Sequence, residues 1–340
     1  MSDPVTDPAV AQPDPGAVQR LTDIGFAAGW SVVRAMPEWA ADRAFRAAAD
    51  IAFGRRGPSV IQLARNLNRV LGAQSTPELL ARTVRAGMRS YARYWRETFR
   101  LPAMDPDVVA CRVDACTVGR EHVERALREG RGIVMPVSHS GNWDIAGLWV
   151  TRSFGAMTTV VERLKPESLY RKFVTYRESL GMEILPLTGG TPPSRTLRER
   201  LTAGGIVPLV GDRDLPGTGV PVTFFGETAR LPAGPAMLAA LTDSYLCPTD
   251  LSFTADGWRQ HIHPPLTLSG TRLAEQVRSG VQQIAAILER GIAAHPTDWH
   301  MLQPFWPADL PGTTPSPSGA TPSPSGTAAS GTAASGRPGR

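Results

Sequence analysis

Along residues 18–105 the apolar side chains fall at the three- and four-residue spacing of helices, with breaks at Gly54 to Pro58 and Gln74 to Pro77. From 106 to 310 short apolar runs alternate with helical stretches instead. The clearest run is Ile133-Val134-Met135-Pro136-Val137 behind Gly130 and Gly132, unbroken by polar residues, as a strand covered on both faces reads. Further strands are expected at 158–162, 182–187, 206–210, 222–225, 246–253 and 259–266. Helices are expected from Asn142 onward and at 166–180, 235–241 and 272–293. The pattern predicts an α/β fold, a central mostly parallel sheet flanked by helices, with an N-terminal helical part at 18–105 and an α/β core at 106–310. Residues 1–17 are rich in Pro, Asp and Ala, and 311–340 repeat Thr-Pro-Ser-Pro-Ser-Gly and Thr-Ala-Ala-Ser-Gly. Neither end has much to bury, and both are expected to be disordered.

The first strand runs into Ser138-His139-Ser140-Gly141-Asn142-Trp143-Asp144. His139 then lies in the loop at a strand's carboxyl end, Asn142 at a helix N-cap and Asp144 in the first helical turn. In a chain with 6 His and 31 acids among 340 residues, an acid five positions after a His is expected about 0.5 times by chance. Location, rather than spacing, therefore singles this one out: no other histidine has an acid at that offset, and only this one follows a strand and opens a helix. The expected chemistry is direct base catalysis. His139 removes a proton from a hydroxyl, Asp144 holds the ring and stabilises imidazolium, and backbone N–H groups near Gly141 and Asn142 stabilise an oxyanion. Ser138 and Ser140 are too close in sequence to His139 for an ordinary triad, and G-x-S-x-G, H-E-x-x-H and P-loop motifs are absent. Glu162-Arg163 and Asp212-Arg213-Asp214 close two other strands, with Arg177 on the helix between, so one cleft is expected to collect them. Solvated loop acids and structural ion pairs are the plainer alternative for each.

Charge adds a second theme. From Arg20 to Arg100 there are 14 Arg against 6 acids, and Arg82, Arg85, Arg89, Arg93, Arg96 and Arg100 recur on one helical face. Nucleic acid, an anionic membrane surface and plain solvent are the three readings of such a stripe, and no nucleic-acid-binding signature accompanies it. No segment has the roughly 18 apolar residues a membrane span needs. The uncharged stretch 24–33, with Phe26 and Trp30, suits a buried helix or one lying in the membrane interface. Three cysteines without a CxxC pair argue against a disulfide framework and a cysteine zinc site, and the N-terminus lacks a signal-peptide pattern. A reducing cytoplasm, with no metal and no cofactor, is expected.

The blocks Ser138 to Asp144, Val161-Glu162-Arg163-Leu164-Lys165-Pro166, Tyr176-Arg177-Glu178-Ser179-Leu180-Gly181, Asp212-Arg213-Asp214-Leu215 with Phe224-Phe225-Gly226, and Asp298 to Trp306 run in order. Together they resemble the lysophospholipid acyltransferase superfamily, in the branch of bacterial lipid A acyltransferases and the phosphatidylinositol mannoside acyltransferases of the actinobacterial envelope. The last block looks like the mannoside group in particular. The resemblance implies acyl transfer from acyl-CoA, a co-substrate, to a mannose hydroxyl of phosphatidylinositol mannoside. It implies a peripheral protein at the cytoplasmic face of the plasma membrane, with an anionic lipid surface as partner and no nucleic acid. His139 matches the base and Asp144 its charge partner, while Asp212 falls where the mannoside branch carries a Glu and Asp214 can share that role. Glu162, Arg163, Arg177, Gly141 and Asn142 are implied at the substrate. The alternatives are acyl carrier protein as donor, another glycolipid or lysophospholipid as acceptor, and a non-catalytic lipid-binding protein of the same fold.

Overall fold

A strand covered on both faces has no water for its backbone, so it must pair within a sheet. Ile133–Val137 (β2) does so inside a sheet of eight strands. The computed structural model describes residues 29–310 apart from 164–166, 189–191 and 215–216. The expectations for 1–17, for 311–340 and for Phe26 lie outside the described residues.

The strand order is β1 (Thr117–Val118), β10 (Trp258–Ile262), β9 (Thr249–Phe253), β2, β5 (Ile206–Val210), β3 (Met157–Val161) and β4 (Met182–Pro186), with β8 (Tyr245–Leu246) also on β2. All these pairings are parallel except β9 with β10, and β2 and β5 match residue for residue from Ile133↔Ile206 to Val137↔Val210. The fold is the expected α/β sheet flanked by helices. Alternate residues of β2 serve opposite faces. Val134 enters a core with α10 (Gly234–Thr242) and α11 (Leu273–Ala294), whereas Ile133 and Met135 enter one with α5 (Pro106–Asp114) and α7 (Trp143–Phe154).

Prolines explain where the strands depart from expectation. The stretch 246–253 is two strands, because neither Pro136 nor Pro248 has an N–H to continue the ladder. β8 pairs with Ile133 and Val134, and β9 rejoins β2 only at Val137. The strand expected at 259–266 stops at Ile262, ahead of Pro264 and Pro265. The one expected at 222–225 is β6 (Val220–Phe224), which leaves the main sheet and pairs with β7 (Glu227–Leu231). Their turn is Phe225-Gly226, both at positive φ (49° and 75°), which a hairpin of this kind requires. Three helices without an expected counterpart, α5, α6 (Arg120–Arg128) and α9 (Ser194–Thr202), have nine residues each with two or three buried.

The N-terminal helices are α1 (29–35), α2 (Glu38–Arg55), α3 (Pro58–Leu71) and α4 (Pro77–Arg100). α2 to α4 share a core of Ala49, Val60, Leu63, Leu67, Val84 and Met88. The arginine stripe lies on α4, and five of its six members bond to other parts of the protein. Arg85 and Arg89 both fork onto Asp50 of α2 at 2.6–2.9 Å, and Arg96 binds Asp42. Arg93 donates to the carbonyls of Thr254 and Gly257 (2.8 Å each), and Arg100 to those of Val33 and Met36. Five of the six arginines are therefore bonded to α1–α2 or to the β9–β10 turn, while Arg82 and Arg85 stay exposed. Trp30 also turns inward: its indole N–H donates to Phe99 O (2.9 Å) and its ring packs on Phe99 and Phe173.

The bonds from Arg85 and Arg89 hold the Asp50 carboxyl well below its usual range. Asp50→Ala is expected to lower the Tm by leaving two guanidinium groups side by side. Arg85→Glu with Arg89→Glu is expected to lower it further, and unchanged melting of both variants would reduce the forks to surface decoration.

Candidate active site

The chain must turn from β2 into α7 within a few residues. Gly141 permits this: its φ is +58°, and a Cβ there would stand 3.0 Å from the backbone of Leu251 and Ser252 in β9. Asn142 caps α7 by accepting the Ile145 N–H (3.2 Å). Ser138 and Ser140 are buried and bonded to each other (2.8 Å), while the His139 side chain stays 21% exposed.

Because β5 lies beside β2, its carboxyl end delivers Asp212 to His139. Asp212 Oδ1 stands 2.6 Å from His139 Nδ1, and Oδ2 accepts both the His139 backbone N–H (2.9 Å) and the Trp299 indole N–H (3.0 Å). Burial of Asp212 works against its charge, but the His139 imidazole and these donors more than offset it and hold the carboxyl below its usual range. With Nδ1–H committed to Asp212, Nε2 carries the lone pair, and no described residue bonds it. That is the arrangement of a general base.

The partner expected for His139 was Asp144, and here the structure differs. Asp144 starts α7 pointing into the interface with α4 and α8 (Glu167–Ser179), where it is 1% exposed. It receives Arg177 Nε (2.6 Å) and Nη2 (3.2 Å), and longer bonds from Tyr94 (3.3 Å) and Thr98 (3.4 Å). Burial opposes the Arg177 charge, but the adjacent Asp144 outweighs it and raises the guanidinium above its ordinary value. Burial and the same carboxylate push the Tyr94 hydroxyl well up. The oxyanion expectation is corrected at Gly141, which donates its N–H to Asp298 O (3.0 Å). The Asn142 side chain is spent on Ile145 and on Glu97 (3.0 Å), which leaves its backbone N–H as the donor the expectation retains.

The other strand-end residues separate. Glu162, just past β3, pairs with Arg213 (3.1 Å), both partly exposed beside Asp212. Arg163 binds Glu167 on α8 (2.7 Å), and Asp214 accepts the Gly219 N–H (2.7 Å), closing the loop into β6. His139 and Asp212 thus meet directly, Asp144 and Arg177 form a second, buried pair, and Arg163 and Asp214 serve local structure.

Residues 298–300, expected only as part of a family block, back the whole loop. Ser140 and Trp299 form an antiparallel bridge, and His300 N–H donates to His139 O (2.7 Å). Asp298 accepts Ser90 Oγ–H and Phe253 N–H (2.8 Å each). His300 Nε2 lies 3.0 Å from Ser90 Oγ, with its ring against Tyr91, Tyr94 and Phe253. Burial there pushes its pKa down to about 3. The signal was present as a dense run of aromatic and hydrogen-bonding residues after α11, but periodicity cannot register a segment that is neither helix nor regular strand. A cavity of about 710 Å³ between α2, α4, α5 and the β9–β10 turn has Ser90 and Glu97 in its wall, but neither His139 nor Asp212.

An imidazole clamped by a buried carboxylate at the ends of adjacent parallel strands places the candidate site where α/β folds bind their ligands. The chain belongs to the bacterial lipid A biosynthesis acyltransferase family, whose profile matches residues 17–307. It is 50% identical over 294 residues (86% of this chain, 93% of the relative) to the phosphatidylinositol mannoside acyltransferase of Mycolicibacterium smegmatis. To the protein of that name from Mycobacterium tuberculosis it is 46% identical over 301 residues, covering 88% of this chain and 92% of the relative.

Two outcomes follow from the geometry. Arg177→Ala leaves the Asp144 carboxylate buried and unpaired, which is expected to cost about 3–5 kcal/mol of stability in chemical denaturation. The double change Asp144→Leu with Arg177→Met is expected to cost less than the two single changes summed. His300 stays neutral in the fold down to about pH 3, whereas unfolded it takes a proton near 6.5. Since the unfolded state binds more protons in that window, stability is expected to fall as pH drops from 6.5 toward 3, and Tm measured between pH 7 and 4 should fall less in His300→Gln.

Proposed function

We propose that this protein transfers a fatty acyl group from acyl-CoA to a mannose hydroxyl of a phosphatidylinositol mannoside, with His139 as general base. The observation that carries the reading is the clamp on His139, Nδ1 at 2.6 Å from a buried Asp212 with Nε2 left free of protein partners among the described residues. The acceptor is supported by the names of the two mycobacterial relatives at 46–50% identity.

In this reading the mannose oxygen attacks the thioester carbonyl as Nε2 takes its proton. The imidazolium is stabilised by the ionised Asp212, and the tetrahedral intermediate collapses by expelling the CoA thiolate, which takes the proton back from Nε2. The thioester supplies the driving force, so no cofactor enters. Glu162 and Arg213, partly exposed beyond the neighbouring strands, are assigned to the polar head group. Among the described residues no helix is long and apolar enough to cross a membrane. We assign peripheral docking at the cytoplasmic face of the plasma membrane, supported by the exposed Val32, Trp39 and Ile51 of α1 and α2.

The test is transfer by purified protein from acyl-CoA to a mannosylated phosphoinositide, read by mass spectrometry of the product. His139→Ala and Asp212→Asn are each expected to lower kcat by about 10²–10⁴-fold. Turnover near wild type in His139→Ala would remove the mechanism, and activity with acyl carrier protein alone would replace the donor.

A further inference from the structure

The β9–β10 hairpin carries a side-chain cluster that acyl transfer does not use. Asp250 and His261 are cross-strand partners, and His263 follows His261 at the two-residue period, so the three share one face. The backbone continues the pairing, since His263 N–H donates to Pro248 O (2.9 Å). His263 Nε2 lies 2.7 Å from Asp250 Oδ2, and the His261 and His263 rings stand 4.0 Å apart between centroids. One donor atom from each of the three lies within 4.8 Å of the others, and all three residues are partly buried. The Asp250 carboxylate also abuts α11 at Gly291, where a Cβ would fall 2.2 Å from Oδ1. Gly291 is in the last turn of that helix, whose partial negative charge disfavours a carboxylate and favours a cation beside it.

We propose that Asp250, His261 and His263 bind one divalent transition-metal ion of the zinc class. Two imidazoles and a carboxylate are borderline donors that suit Zn²⁺, Co²⁺ or Ni²⁺ better than Mg²⁺ or Ca²⁺, which prefer oxygen alone. Tetrahedral bonds of about 2.0–2.2 Å require donors roughly 3.3–3.6 Å apart. The Asp250–His263 contact opens slightly and the wider spacings close, which side-chain rotation accomplishes, and the ion replaces the proton those two groups share. Among the described residues no fourth His, Cys, Asp or Glu donor lies with these three, so water takes the fourth position. The role is structural. The ion ties β9 to β10 in the hairpin whose Leu251 and Ser252 back Gly141 and whose Phe253 N–H holds Asp298.

The test uses the full chain, stripped with chelator and titrated with Zn²⁺ by calorimetry and with Co²⁺ by visible absorption. One equivalent is expected to bind, with ligand-field bands of low-coordinate Co²⁺ and a Tm raised by several degrees. Asp250→Asn, His261→Gln and His263→Gln are each expected to weaken binding at least tenfold and to abolish the Tm shift, whereas His295→Gln keeps both. Far-UV circular dichroism of the metal-free proteins separates lost binding from lost fold, and a misfolded variant is replaced by alanine at the same position. No saturable binding by wild type, or undiminished binding by the three folded variants, overturns the proposal.

Discussion

A carboxylate with no access to water must find its hydrogen bonds in the protein or give up its charge, and Asp212 sits under that constraint. It keeps the charge because His139 supplies both its ring and its amide and Trp299 supplies its indole. These donors come from the loop after β2 and from the segment after α11, while the acid comes from β5. The adjacency of β2 and β5 in matched register brings the loop and the acid together. Loss of any one contribution would leave the others arranged around an incompletely solvated charge, so the imidazole, strand order and C-terminal segment stand together.

α4 organises the second layer. Its Glu97 collects Arg93, the Asn142 amide and the Trp258 indole, at 2.7–3.0 Å. Tyr94, one turn before it, and Thr98, the next residue, reach Asp144, and Ser90, two turns before it, reaches Asp298 and His300. A helix that composition marks mainly by its arginines therefore works through its neutral and acidic residues. The arginines on it are largely balanced by Asp42, Asp50, Glu97 and backbone carbonyls.

Much of this frame was legible in the sequence. Strands buried on both faces read as apolar runs, so β2 and β5 could be placed to the residue. Prolines shifted other boundaries because a missing N–H acts on pairing between strands, which a linear pattern does not display. His139 stood out by its place at a strand end. Its partner did not, since a five-residue spacing fixes neither the direction of a side chain nor the neighbour of a strand. Asp212 could be read as a strand-end acid, but its bond to His139 depends on sheet order. The arginine stripe taught the same lesson: periodicity fixed which residues share a face, and Asp50 across the interface decided what that face does.

The bridge between Ser140 and Trp299 also imposes an order in time. Chains emerge from the ribosome N-terminus first, so the loop around His139 is exposed roughly 160 residues before the segment that backs it. Until Trp299 arrives, the buried acid lacks its indole donor and the loop lacks its bridge partner, although every strand of the sheet among the described residues has already been made. A nascent or clipped chain ending before that point carries the strands and His139 in the same molecule without the indole bond and the bridge that complete the clamp.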